Sequence, residues 1–461
     1  MSDALDVLFS PASVAVVGAS ADPAKWGHWI ARGAVRGSDR REVWLVNRRG
    51  VPVLGRETFV SLEALPDSPE LAVLVVPPAG LGDAVDDALA CGARALVAIT
   101  AGVTPDEEVA IAAQVRAAGA RLLGPNCLGV SDAGTGLHLL SNDLPPGPIG
   151  LISQSGNLML EVGELAARHG LGFSRAVSLG NQADLIAADL VRACAGHAGT
   201  RVIALYVEDF RDARDFAAAC SDAVAGGTPV VLLTVGRSAA GARAAFEHTG
   251  ARVSDDRTVR AACDAAGIHL VRSPVELADT VAALLCSGRA HGRRVAIVAD
   301  GGGHGALAAD AVVDAGLDVP PLGPALCETI AHDLPTTASV ANPIDFAGGG
   351  EQDLGVFARI PAALLADPSI DAVLLTGYFG GYAAYSDAQA ADERAAAVAL
   401  AGAAIGSGRA LVVHSMFPAS PAAETLRAAG IPVYADIVAA ARGLAAIVRR
   451  DGAGGSQHLD C

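Results

Sequence analysis

At 461 residues, the chain is 52% apolar but only 4% aromatic, so Ala, Val, Leu and Gly dominate; that suits helices packed closely on sheets and fills about three domains. A formal charge of −17 gives no general attraction for nucleic-acid phosphates, so nucleic-acid binding is set aside and any anionic ligand must be held by local donors. Eight scattered cysteines without a CxxC pair argue against a metal site or a disulfide framework and for a reduced, cytoplasmic protein.

The segment 1–9 is acidic and too poor in apolar residues for a signal peptide. No run reaches the roughly 18 apolar residues of a membrane helix. What recurs instead is a short Val/Ile/Leu-rich run, then a glycine-bearing turn, then helical periodicity, the pattern of buried parallel strands in βαβ units. Such runs at 13–17, 42–46, 71–76, 95–99 and 121–123 predict a Rossmann-like domain over 1–143. Pro145-Pro146-Gly147-Pro148 then punctuates the chain. Runs at 149–152, 173–177, 201–207 and 229–233 predict a second α/β domain over 144–289. Runs at 295–298, 372–375 and 410–414 predict a third over 290–450, and a Gly- and Ser-bearing tail, 451–461, is expected to be disordered.

The chemistry-bearing motifs follow the strands. Gly18-Ala19-Ser20, with Lys25 and Gly27 further on, lies between the first strand and a helix, where free N–H groups and the helix dipole suit a phosphate. The segment lacks G-x-G-x-x-G, and the second strand ends in Asn47-Arg48-Arg49 rather than an acid. Both features disfavour NAD, and the arginines favour an extra phosphate such as the 3′-phosphate of coenzyme A. Gly124-Pro125-Asn126-Cys127-Leu128-Gly129 presents Asn126 at the sheet edge. Ser153-Gln154-Ser155-Gly156-Asn157 caps a helix and can cradle an anion. One exposed helix end contributes only about 0.3–1 kcal/mol, so a firmly held phosphate needs a second contribution. Ser178-Leu179-Gly180-Asn181-Gln182-Ala183-Asp184 supplies another turn of this type.

Glu208 ends a buried strand, where a carboxylate can accept a histidine N–H and fix its tautomer. The histidine is His248, in Glu247-His248-Thr249-Gly250, after the run Gly236 to Arg243. That run is expected to be a mobile loop, able to carry a phosphoryl group between two places. Taken singly, each motif also has a reading as an ordinary cap, turn or solvated residue, and for a lone histidine in a polar loop that reading is the default.

Taken in order, GPNCLG, SQSG, SLGN, LYVE and HTGA resemble the NDP-forming acyl-CoA synthetases, relatives of succinyl-CoA synthetase. Asp300-Gly301-Gly302-Gly303-His304-Gly305 and Asn342-Pro343-Ile344-Asp345 are similar to further signatures of that family. The resemblance covers roughly 5–450. It implies three consecutive α/β domains: a CoA-binding Rossmann-like domain followed by two flavodoxin-like, succinyl-CoA-synthetase-like domains with parallel sheets. It implies that His248 is phosphorylated and that Glu208 orients it. It implies that Ser153, Ser155, Gly156 and Asn157 bind phosphate, and that Gly18, Ala19, Ser20, Lys25, Gly27, Asn47, Arg48, Pro77 and Asn126 bind coenzyme A. The reaction so implied joins a small carboxylic acid to CoA through acyl phosphate and phosphohistidine, at the expense of ATP.

Departures from the family pattern are Thr234 in place of a lysine, Glu247 and Arg252 flanking the histidine, His197 where an acid is common, and His304 within the glycine turn. No segment reads as an ATP-grasp domain. The expectation is therefore an α-subunit type, with ATP or ADP and Mg²⁺ on a separate ATP-grasp β subunit. A non-catalytic CoA- or acyl-CoA-binding protein on the same fold is the alternative reading. An NAD-type oxidoreductase fits less well.

Overall fold

Continuous apolar runs become strands wherever both faces of a sheet are covered. The computed structural model describes residues 4–249 and 256–455, and the side chains of all of these except 248, 249 and 450–455. Strands β1 Ser13–Val17, β2 Glu42–Val46, β3 Leu71–Leu74, β4 Ala95–Ala98 and β5 Arg121–Leu123 form a parallel sheet in the order β2-β1-β3-β4-β5. Alternate residues feed two cores: Val14, Val16, Val73 and Val97 on one face, Ala15, Ala72, Leu74 and Leu96 on the other. Each fully buried Val or Leu contributes about 1.5–3 kcal/mol.

The second sheet contains β6 Gly129–Asp132, β7 Leu137–Leu140, β8 Pro146–Ser153, β9 Phe173–Ser178, β10 Val202–Tyr206, β11 Val230–Leu233 and β12 His269–Val271. Its order is β12-β11-β10-β8-β9-β6-β7. The hairpin β6–β7 pairs antiparallel with β9. Residues 129–140, which sequence spacing groups with the first domain, thus complete the second sheet. The third sheet runs β14-β13-β15-β16-β17, from β13 Val295–Ala299, β14 Ile344–Asp345, β15 Ala372–Gly377, β16 Ala410–Ser415 and β17 Val433–Tyr434.

By internal contacts the chain divides into two compact units. One comprises residues up to Glu164 with Leu171–Leu277; the other comprises Leu165–Gly170 with the chain from Ala278 onward. The first two sheets belong to the first unit and the third sheet to the second. The tail expected from 451 onward is helical as far as Gly455, as the end of the helix Ile437–Gly455. Residues 456–461 lie outside the described ones.

One local expectation is corrected. The segment before His248 is not a loop but the helix Ala239–Thr249. Ser238 begins it, with Gly241 N donating to Ser238 Oγ at 3.0 Å and Ala242 N to Ser238 O at 2.8 Å. Five alanines over 239–245 carry the highest helix propensity and outweigh the single Gly241.

Candidate functional site

Chain connectivity builds the carboxyl edge of the second sheet. The chain runs from β8 outward to β9, then returns past β8 to β10 and β11. With right-handed crossovers, the helix Gly156–Arg168 therefore lies on one face, and the helices Ala187–Ala195 and Ala213–Ala225 on the other. Ile152, Val177, Ile203 and Leu205 join the core of the latter face. Strand alternation then turns Ser153, Ser178 and Tyr206 toward the 156–168 helix. The three are Cα partners, Ser153 with Ser178 and Ser153 with Tyr206, and form one row across three strands. This is where connections reverse direction, the usual ligand position in an open α/β sheet.

Hydrogen bonds fix this row. Ser153, 1% exposed, donates to Ser155 O at 2.6 Å. Ser155 Oγ accepts weakly from Leu158 N at 3.4 Å. Gly156 opens the helix, and a Cβ there would lie 2.6 Å from Leu128 Cγ; Asn157 is exposed. Glu208 is buried, and Tyr206 Oη donates to its Oε1 at 3.0 Å. Burial, and then the neighbouring Glu208, push the Tyr206 hydroxyl well above its ordinary range, so it stays a donor. Gln154 Oε1 accepts from both Glu208 N (2.8 Å) and Asp209 N (3.0 Å), while Gln154 N donates to Tyr206 O at 2.8 Å. Thr234 donates from Oγ1 to Val207 O at 2.7 Å, so the residue that replaces a lysine closes the same strand end.

Sequence reasoning did not single out Gln154 or Tyr206. The available signal was spacing: Tyr206 is two residues before Glu208 and shares its strand face. His248 belongs to the last turn of the 239–249 helix; its side chain lies outside the described residues. His197 is not part of this edge. It precedes β10, with Nδ1 3.1 Å from Thr200 Oγ1 and Nε2 3.9 Å from buried Asp132.

The first sheet presents a different edge. Gly18 has φ +89, and a Cβ there would lie 2.1 Å from Val75 O; one at Gly27 would lie 2.0 Å from Gly18 O. Only glycine fits either position. Ser20 Oγ accepts from Asp22 N at 3.1 Å, and exposed Lys25 immediately precedes the helix Trp26–Arg36. Asn47 donates to Ala19 O at 2.8 Å and accepts from Arg49 N at 2.9 Å, which ties the end of β2 to the turn after β1. Arg48 and Pro77 are exposed at the ends of β2 and β3. Two expected phosphate donors are already used: Gly18 N and Ala19 N both donate to Val46 O at 3.1 Å, because the turn folds back onto β2. Asn126 stands apart, after β5, with φ 59 and its Nδ2 3.1 Å from Asn181 Oδ1.

In the second unit, Asp300 follows β13 and precedes the helix Gly302–Asp314. Its Oδ2 accepts from Tyr378 N at 2.8 Å and from Tyr382 Oη at 3.5 Å, and burial raises its pKa. His414 Nδ1 lies 2.8 Å from Thr376 Oγ1, and its ring centroid is 5.8 Å from that of His304. Burial, then His304, lowers the His414 pKa to about 4. Asn342 is structural: its Oδ1 accepts from Ile297 N, and its Nδ2 donates to Val295 O and Pro320 O, each at 2.9 Å.

Among the described residues, no group of three or more side chains is arranged to hold a metal ion, and no helix is long and apolar enough to cross a membrane.

Three family models match in succession: a CoA binding domain over 12–133, a succinyl-CoA ligase like flavodoxin domain over 146–284 and a Ligase-CoA domain over 295–440. The chain is 30% identical to the acetate–CoA ligase [ADP-forming] II subunit alpha of Pyrococcus furiosus, over 98% of this chain and 99% of that one. It is 32% identical to the acetate–CoA ligase [ADP-forming] I of Archaeoglobus fulgidus, over 80% of this chain but 54% of that protein. Among solved structures it is similar to the acetyl-coenzyme A synthetase 1 of Ca. Korarchaeum cryptofilum, in complex with phosphate and ADP. That match has a TM-score of 0.87 and 26% identity, and covers 99% of each chain.

Proposed function

Because the chain belongs to the NDP-forming acyl-CoA synthetase family and is an acid–CoA ligase of the alpha-subunit type, we propose that its second sheet edge carries a phosphoryl group from an acyl phosphate to a nucleotide by way of His248. In the direction of ATP synthesis, inorganic phosphate attacks the thioester of acyl-CoA, giving acyl phosphate and CoA. A neutral ring nitrogen of His248 then attacks phosphorus, and the carboxylic acid leaves. Phosphohistidine finally transfers the group to ADP. The reverse sequence activates a carboxylic acid with ATP.

The observation that carries this reading is the row Ser178–Ser153–Tyr206, with Glu208 beyond it, at the start of the 156–168 helix. The first N–H groups of a helix have no intrahelical partner and favour an oxyanion, and phosphoryl transfer asks chiefly for positioning and charge stabilisation. Ser153, Ser155, Gly156 and Asn157 line that start. Glu208 is the acceptor that directs the reactive lone pair of His248 toward phosphorus, since a neutral imidazole needs its other nitrogen to donate. The Tyr206 hydroxyl and the Gln154 amide hold Glu208 and its backbone in register.

CoA is assigned to the first sheet edge. Gly18 and Gly27 let the turn after β1 pack tightly against Val75 and the start of the next helix, and exposed Lys25, Arg48 and Arg49 supply charge for its phosphates. The A. fulgidus relative extends to nearly twice the matched length. In keeping with that, we assign ATP or ADP, with Mg²⁺, to a separate ATP-grasp β subunit. The acid is a small carboxylic acid; acetate is named for the P. furiosus and A. fulgidus relatives, and 4-hydroxybutyrate for another relative.

The test is incubation of the full chain with acetyl-CoA, Mg²⁺ and radiolabelled phosphate. Acid-labile label should appear on the wild type and be absent from H248A. Label that persists in H248A overturns the assignment.

A further inference from the structure

Resting on that reading, we infer that the Ser178 hydroxyl is a further donor to the bound phosphoryl group or inorganic phosphate, completing the cradle opposite the helix start. Of the three hydroxyls in the row, two are committed: Ser153 Oγ to Ser155 O and Tyr206 Oη to Glu208 Oε1. Ser178 is 1% exposed, and its Oγ has no hydrogen-bond partner among the described residues. Burying an unpartnered hydroxyl is destabilising, and such groups concentrate where a ligand or catalytic role retains them.

Its direction follows from the sheet. Ser178 is the register partner of Ser153 on the adjacent strand, and its neighbour Val177 packs into the core of the opposite face. Ser178 therefore turns toward the 156–168 helix, as Ser153 does. Leu179 N donates to Ser153 O at 2.8 Å, which holds the end of β9 against β8. An oxyanion at the helix start would thus meet backbone N–H groups on one side and the Ser178 hydroxyl on the other. That is the second contribution a single helix end needs to hold a phosphate.

The test is titration of the full chain with inorganic phosphate by calorimetry, alongside thermal unfolding, for wild type, S178A, S178C and H248A. S178A should bind phosphate about tenfold more weakly, equivalent to about 1.4 kcal/mol, with an unfolding temperature equal to or above that of the wild type. A structural hydroxyl would give the opposite pattern, lower stability with unchanged phosphate affinity, and that result overturns the inference. If S178A is itself unstable, S178C decides, because its thiol nearly fills the same space but donates poorly: weakened binding supports the inference and unchanged binding overturns it. Loss of histidine label in H248A without loss of phosphate binding leaves both readings standing. A wild type that labels while S178A and S178C bind phosphate normally overturns this inference alone, and a wild type that binds no phosphate overturns both.

Discussion

The second and third sheets share a design but carry opposite chemistry at their carboxyl edges. In each, an inner strand leads into the start of a 13-residue helix. At the second sheet the strand ends in Ser153 and the turn offers hydroxyls and free helix N–H groups. At the third, the corresponding strand is followed by Asp300, a carboxyl that burial keeps closer to neutrality. Helix ends that follow a strand in the same way thus present either hydroxyls or a buried carboxyl according to the residue that ends the strand, so local fold does not assign function.

The largest effects should come from breaking the second edge. H248A should lower phosphoryl transfer by about 10³-fold or more, as loss of a nucleophile does, measured as label incorporated per minute. E208Q should cost about 10²-fold, within the range of a positioned acid or base, with CoA binding by calorimetry unchanged. If E208Q transfers at the wild-type rate, Glu208 does not orient the histidine.

Changes at the third edge should register in stability instead. Gly377 has φ +127, and a Cβ there would fall 2.0 Å from Asp300 Oδ1. G377A should destabilise the second unit by about 1–3 kcal/mol, as expected for a strained backbone position, read from hydrogen exchange in β15.

The smallest effects concern pH. The raised Asp300 pKa means that the fold holds this proton more tightly than the unfolded chain does. Its contribution is present below the ordinary Asp value of about 3.9 and is lost as pH rises through the raised one. D300N should remove that dependence. The lowered His414 pKa acts the other way: its contribution is present above the ordinary His value of about 6.5 and is lost as pH falls toward about 4. Hydrogen exchange in β16 of H414Q should therefore change less between pH 6.5 and 4 than in the wild type. Equal slopes in variant and wild type would remove His414 from the account.

The strands were legible because a continuous apolar run such as Leu71 to Leu74 has no other stable placement than a sheet covered on both faces. The turns at Gly18 and Gly156 were legible because glycine is read directly. The helix 239–249 was not, because Gly236 and Gly241 suggested mobility while the propensity of the alanines between and after them decided the outcome. Tyr206 and Gln154 escaped notice for another reason. Their importance lies in hydrogen bonds to a residue two places on and to a neighbouring strand, and register across strands is not printed in any local motif. The donors Gly18 N and Ala19 N show the reverse error: they looked available until the fold returned them to Val46 O.

The hairpin β6–β7 also marks where this chain can be recombined. A crossover at residue 143 would deliver a recipient second sheet without its two antiparallel strands and leave the edge of β9 bare, an open template for association with other chains. A seam just before Gly129 keeps both sheets whole. In gene shuffling or chimera construction, the hairpin must therefore travel with the sequence that follows it.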